Sequence, residues 1–181
     1  MTHRNLLGLG LALAIAAPSF ARAADELKVG DTAPEFSLKG SDGKTYTLSD
    51  FKGKKAVVVA WFPKAATRGC TIECKSFKEL SGSLKGMDVA YFTASVDKPE
   101  DNAKFGESLS VDYPILSDPD KSVANAYGVI NPQRGFANRW TFYIDKDGKI
   151  AAIDKMVSKD NPNAAKNVAL KLKELGIADK K

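Results

Sequence analysis

The chain has 181 residues, 44% hydrophobic and 27% charged, a balance that suits one globular domain with a full core. Its 27 Lys and Arg against 22 Asp and Glu make it mildly basic, but the cations are scattered instead of massed on one face or run, which speaks against a nucleic-acid binder. The only histidine is His3.

Residues 1–23 carry Arg4, an apolar stretch over 6–17 and Ala21-Arg22-Ala23. A short basic start, an apolar stretch too short to span a bilayer comfortably and an AxA cleavage site read as a secretory signal. The expectation is cleavage after Ala23, export to the periplasm, a single domain over 24–181 and no stable membrane association afterwards. Without Arg4 and Arg22 the mature part keeps 25 basic against 22 acidic residues, and without His3 it has no imidazole. That excludes a Cys-His protease, a His-ligated zinc hydrolase and a histidine-ligated haem, and two cysteines alone cannot close a structural zinc site.

Residues 27–38, with Gly30 and Pro34, read as irregular, and 44–48 after Ser41-Asp42-Gly43 as the second arm of a short hairpin. The apolar run 56–62 predicts a buried strand, 67–85 a helix and 87–95 a second apolar strand. A helix over 97–109 has Asp97 as its cap and Pro99 in its first turn; a short strand over 113–116 and a short helix over 122–127, closed by Gly128, follow. Strands over 140–144 and 150–156 form a hairpin through Asp145-Lys146-Asp147-Gly148-Lys149. The last helix opens at Asn161-Pro162 and sets Ala165, Val168, Ala169, Leu172 and Leu175 on one face before Gly176, its lysines between 166 and 173 forming a solvated face. This order predicts an α/β sandwich with a mixed central β-sheet flanked by helices, of which the thioredoxin-like arrangement is one.

Chemistry concentrates at the join of the first buried strand and the helix after it. Cys70 and Cys74, the only two cysteines, stand in Pro63-Lys64-Ala65-Ala66-Thr67-Arg68-Gly69-Cys70-Thr71-Ile72-Glu73-Cys74. A thiol there meets exposed helix N–H groups and the positive end of the helix dipole, the setting of a reactive thiolate. At about 100° per residue, Cys70, Cys74, Phe77, Leu80, Ser81 and Leu84 fall in one core-facing stripe. Ile72 lies on the opposite face, which leaves the first turn to be covered by other residues, with 131–139 as the candidate loop. A static disulfide is a weak reason for the pair. So small a loop gains at most about 2 kcal/mol, and helical Cβ atoms about 5–6 Å apart must close to about 3.8 Å.

The run PxxxTxxC, standing as Pro63, Thr67 and Cys70 after Trp61-Phe62, resembles the active-site signature of the peroxiredoxins, in particular the Q-type branch also called bacterioferritin comigratory protein. Asn138-Arg139-Trp140-Thr141-Phe142-Tyr143-Ile144-Asp145 is similar to the late strand of that family, and Gly30-Asp31, Ala33-Pro34, Phe36 and Leu116-Ser117-Asp118-Pro119 extend the likeness. The resemblance implies a thiol peroxidase acting on hydrogen peroxide and organic hydroperoxides. Cys70 is then the nucleophile that becomes sulfenic acid, and Arg139 with the helix N-terminus supplies positive potential. Thr67 accepts from the peroxide and donates to sulfur, and Pro63 shields the site. The bland alternatives are a helix cap for Thr67 and a surface ion pair for Arg139, whose strand parity leaves its direction open. Glu73 reads as structural unless it binds Arg139.

Where the Q-type resolving cysteine usually stands, five residues after the nucleophile, this chain has Lys75, and Arg68 replaces the proline common before Gly69. Cys74 is therefore the expected resolver. Closing the pair requires the first helical turn to unwind, and a thioredoxin-like or other dithiol reductant reopens the bridge. No cofactor or metal is expected, and the protein is a monomer or a dimer. The alternatives from other classes are an exported CxxxC copper chaperone, since two thiolates suit Cu(I), and a thiol-disulfide oxidoreductase, which the absence of CxxC weakens.

Overall fold

The computed structural model describes residues 26–79, 81–155 and 164–178. Residues 1–25 and the Asn161-Pro162 helix start lie outside the described residues.

A seven-stranded sheet carries the fold, in the order β2-β1-β5-β4-β3-β6-β7. Its strands are β1 (Ser37–Gly40), β2 (Thr45–Thr47), β3 (Ala56–Trp61), β4 (Val89–Ser95), β5 (Ile115–Ser117), β6 (Thr141–Ile144) and β7 (Ile150–Asp154). The β3/β4 and β4/β5 pairs are parallel and the other four antiparallel, so the sheet is mixed, as the alternation of elements predicts. The helices are α1 (Arg68–Glu79), α2 (Ser81–Lys85), α3 (Pro99–Leu109), α4 (Ser122–Ala126) and α5 (Ala164–Leu175), with a 3-10 turn at Leu48–Phe51. The helix read over 67–85 is thus described as two pieces.

Strand β3 explains the layering. Every residue of Ala-Val-Val-Val-Ala-Trp is buried, which requires cover on both faces and favours the β-branched residues found there. Ala56, Val58, Ala60 and Phe62 pack on the layer holding Cys70, Cys74 and Phe77 of α1 and Ala165, Val168 and Leu172 of α5. Val57, Val59 and Trp61 pack on the opposite layer with Val123, Ala124 and Tyr127. Alternation along one strand therefore builds two cores. The stripe read on α1 faces the first of them: Cys70, Cys74, Phe77, Ser81 and Leu84 are buried, while Ile72 is only half-buried.

Side chains tie the helices to the strand ends. Ser76 Oγ of α1 accepts from the Ala165 amide at 3.1 Å, satisfying one of the donors that the start of α5 leaves without a helical partner. Asn102 of α3 is fully buried. Its Nδ2 lies 3.0 Å from Ser95 Oγ on β4, 3.2 Å from the Leu116 carbonyl and 2.9 Å from Ser117 Oγ on β5. Asp97 does not cap α3. Lys98 stands at the cap position with no side-chain bond, and the Asp97 carboxylate accepts from the Ala65 amide at 2.8 Å, so a loop across the sheet edge has claimed the residue that local pattern assigned to the helix. The remaining strands are displaced by a residue or two at their ends, most visibly β5, which starts after Tyr113 and leaves that ring in the core.

Asn102→Ala should lower stability by about 1–3 kcal/mol, because it leaves the buried Ser117 hydroxyl and the Leu116 carbonyl without this donor and the Ser95 hydroxyl without its acceptor. Urea unfolding of the reduced protein measures it, and an unchanged midpoint would rule the network out as a stabilising element.

Candidate active site

At the carboxyl edge of β3 the ladder extends one residue past the strand. Trp61 N donates to the Trp140 carbonyl at 2.8 Å and Phe62 N to the Ala94 carbonyl at 2.8 Å. Pro63 has no N–H and ends the pairing. It is half-buried. Ala66 then takes φ 59, a left-handed conformation that costs a non-glycine residue about 1–2 kcal/mol, and α1 begins at Arg68. The bond from Ala65 to Asp97 braces this bend. The result is a helix N-terminus at the carboxyl end of a central strand, the usual address of sites in α/β sheets.

Cys70 sits in the first turn of α1, fully buried. Arg139 reaches it from the other side: its Nη2 donates to Cys70 Sγ at 3.3 Å, and its Nη1 pairs with Glu73 Oε2. Glu73 is buried, its side chain 3% exposed, and the Arg139 side chain is 9% exposed. The parity left open in the sequence is resolved by register. Ala60 pairs with Thr141, Tyr143 packs in the Cys70 layer, and Arg139, two residues before Thr141, emerges on the same side. The segment before it is a closed loop, with Asn138 N donating to the Val129 carbonyl at 2.7 Å and Asn131 N to the Phe136 carbonyl at 2.8 Å. Loop 131–139 thus gives the first turn its cation.

Thr67 behaves differently from its expected role. Its carbonyl accepts from Thr71 N at 2.9 Å, opening the helix, and its exposed hydroxyl donates to the Lys64 carbonyl at 3.0 Å. The hydroxyl proton is therefore spent on the loop backbone and does not go to sulfur. The oxygen lone pairs stay available to accept.

The second thiol has another environment. Cys74 is fully buried, its Sγ 4.0 Å from Thr93 Oγ1, and its carbonyl accepts from Tyr113 Oη at 2.9 Å. Burial, together with the nearby Glu73, pushes the Cys74 thiol up to about 12, against the hydrogen bonds of Tyr113 and Thr93. For Arg139, burial acts to lower its proton affinity, but Glu73 and Cys70 outweigh it and the guanidinium is held firmly charged. Sequence reasoning gave Thr93 and Tyr113 no part beside the thiols, read Asp97 as a helix cap, and held Glu73 structural unless it binds Arg139, which it does. Glu73 was within reach of that reasoning, because three residues after Cys70 lies on nearly the same helix face. Among the described residues no group of three or more His, Cys, Asp or Glu could hold a metal ion.

Burial pushes Glu73 up from its ordinary 4.5 to about 7, with Arg139 pulling it the other way. A carboxyl held above its unfolded value binds more protons folded than unfolded between 4.5 and about 7, so its contribution makes stability fall as pH rises through that window and level off above it. Glu73→Gln should flatten that slope, as urea midpoints at pH 5, 6, 7 and 8 will show.

The AhpC/TSA family matches residues 29–153, more than half of the chain. Peroxiredoxin Bcp of Escherichia coli K12 is 38% identical over 130 residues, which cover 68% of this chain and 83% of that protein. Peroxiredoxin Bcp of Bacillus subtilis is 33% identical over 130 residues, covering 68% and 82%. The crystal structure of peroxidoxin BcpB from Mycobacterium tuberculosis superposes with a TM-score of 0.74 at 31% identity, covering 82% of this chain and 98% of that one. With a thioredoxin-like sheet beneath it and a cysteine paired to an arginine at its edge, the chain belongs to the AhpC/TSA family, as a peroxiredoxin of the Q-type, bacterioferritin comigratory protein-like group, and is a thiol peroxidase.

Proposed function

We propose that the protein is an exported peroxiredoxin in which Cys70 reduces hydrogen peroxide and organic hydroperoxides, Cys74 resolves the oxidised enzyme, and a thioredoxin-like dithiol partner restores it. The observation that carries this reading is the 3.3 Å contact of Arg139 with Cys70 Sγ at the start of α1. Its support for export is the basic start, apolar stretch and AxA site of residues 1–23.

The chemistry follows from the groups present. The thiolate of Cys70 attacks the terminal oxygen of the hydroperoxide. The O–O bond breaks as the S–O bond forms, and the leaving oxygen departs as water or alcohol once protonated, with sulfenic acid left on Cys70. Arg139 and the helix N-terminus oppose the negative charge, first on sulfur and then on the leaving oxygen. Thr67, its proton held by Lys64, offers a lone pair to the peroxide O–H. Pro63 keeps a competing N–H out of the pocket.

Cys74 then attacks the Cys70 sulfur, water leaves, and a dithiol reductant reopens the disulfide by exchange. A copper chaperone fits less well. The Arg139 guanidinium at Cys70 Sγ holds a fixed positive charge against the sulfur a Cu(I) ion would need.

Stopped-flow oxidation of the reduced protein by hydrogen peroxide should give a rate constant far above that of a free thiol. Cys70→Ser should abolish the reaction, and Arg139→Gln should slow it by about a hundredfold, the loss usual when one preorganised donor is removed. A wild-type rate no faster than that of a free thiol would end the proposal. Cys74→Ser should keep the fast oxidation but accumulate sulfenic acid and lose turnover with a thioredoxin-like reductant; full turnover would show resolution by an outside thiol instead.

A further inference from the structure

We propose that Tyr113 is a positioning residue for the resolving step: it holds Cys74 stationary while the first turn of α1, carrying Cys70, opens and swings toward it. The proposal rests on the reading of Cys74 as the resolving thiol.

Helix α1 is tethered unevenly. From Cys74 onward it is fixed at three points on three elements. Tyr113 Oη donates to the Cys74 carbonyl at 2.9 Å, Ala165 N of α5 donates to Ser76 Oγ at 3.1 Å, and Lys78 Nζ donates to the Leu109 carbonyl at 3.1 Å. Phe77 adds packing, its ring stacked on Tyr91 at 6.3 Å and tilted against Tyr113 at 5.9 Å. Before Cys74 the picture reverses. Among the described residues, the only side-chain hydrogen bonds that tie Arg68–Glu73 to another element come from Arg139, one to Cys70 Sγ and one to Glu73. Tyr113 stands at the boundary. It is 5% exposed, wedged between Phe77 and Tyr91, and its hydroxyl is the tether nearest the moving part.

Oxidation acts on the weak end. A thiolate is a strong acceptor for a guanidinium and a neutral sulfenic acid a poorer one, so turning Cys70 into sulfenic acid loosens the bond that holds the first turn. Neighbouring cysteines one helical turn apart are too far for a disulfide until that turn opens. One of the two sulfurs must then move, and the tethers decide which. Cys74, pinned at its carbonyl, stays in the slot it shares with Thr93. Its sulfur attacks that of Cys70, the S–S bond forms as the S–O bond breaks, and the departing hydroxide takes the Cys74 thiol proton to leave as water. Cys74 sulfur is oxidised and Cys70 sulfur reduced by the same electron pair.

The test is Tyr113→Phe, which keeps the ring and removes only the hydroxyl, run beside wild type and Cys74→Ser. Stopped-flow fluorescence follows the two phases, and mass spectrometry after thiol alkylation identifies the products. The rate of Cys70 oxidation by hydrogen peroxide should match wild type, which also reports an intact fold. Disulfide formation should slow by about fivefold, the factor one net hydrogen bond commands, and excess peroxide should drive more Cys70 to sulfinic acid. In wild type, amide exchange of the disulfide form should lose protection in residues 68–73 and keep it in 75–79. Unchanged or faster disulfide formation in Tyr113→Phe, with Cys74→Ser unable to form the bridge, overturns the role of Tyr113 alone. Wild-type turnover in Cys74→Ser overturns the resolving role of Cys74 and this inference with it.

Discussion

A guanidinium with less than a tenth of its side chain exposed is the constraint around which the site is organised. Taking a cation out of water costs several kcal/mol unless partners replace the hydration. Arg139 has two, Glu73 and Cys70, presented by α1 on the same side of its first turn. The requirement runs both ways. Glu73 is more deeply buried still and needs the cation, and the sulfur between helix and guanidinium has a positive field on each side. Much else serves to bring these groups together: the left-handed bend at Ala66, the brace from Asp97, the Trp61–Trp140 bond that extends the β3/β6 ladder, and the closed loop before Asn138.

How much of this was legible depends on how far apart in the chain the partners stand. The buried strand, the helix after it and the cysteine at their junction follow from a run of apolar residues and a motif within about a dozen positions, and local pattern is the strongest signal a sequence carries. Arg139 is 69 residues from Cys70, and parity alone gave it two possible faces. Only the pairing of β6 with β3 chooses between them. Asp97 shows the converse. Its place before Pro99 is that of a helix cap, yet tertiary structure gives its carboxylate to the Ala65 amide, where the bend before the first turn of α1 would otherwise leave a donor unmet. Thr67 was read for its position in the motif, and the direction of its hydroxyl, toward Lys64, is set by the bend and not by the spacing.

Two cysteines on one face of one helix are chemically distinct because the helix is only favourable to an anion at its beginning. Cys70 is in the first turn, where free N–H groups and the dipole assist negative charge. Cys74 is one turn further in, deeper in the apolar layer, with Glu73 beside it and hydroxyls in place of a cation, and its proton is held up to about 12. Four residues of separation suffice to give the two sulfurs different surroundings, one beside the Arg139 guanidinium and the other held protonated by burial.

That spacing also bears on how the cycle ends. The proposed bridge between positions 70 and 74 would enclose so few residues that its chain-entropy contribution is at most about 2 kcal/mol, and it would need the first turn open, at the cost of that turn's helical hydrogen bonds and of the bonds from Arg139. A disulfide that opposes its own fold is easily reduced. On the proposed cycle, reduction would let the turn re-form and return Arg139 to its two partners, so the guanidinium that organises the site would also favour the reduced shape. The uneven tethering of α1 would keep this cost local, since the helix from Ser76 onward is docked on α5 and the core. On this proposal the cycle costs one helical turn and asks nothing of the sheet or of the second core.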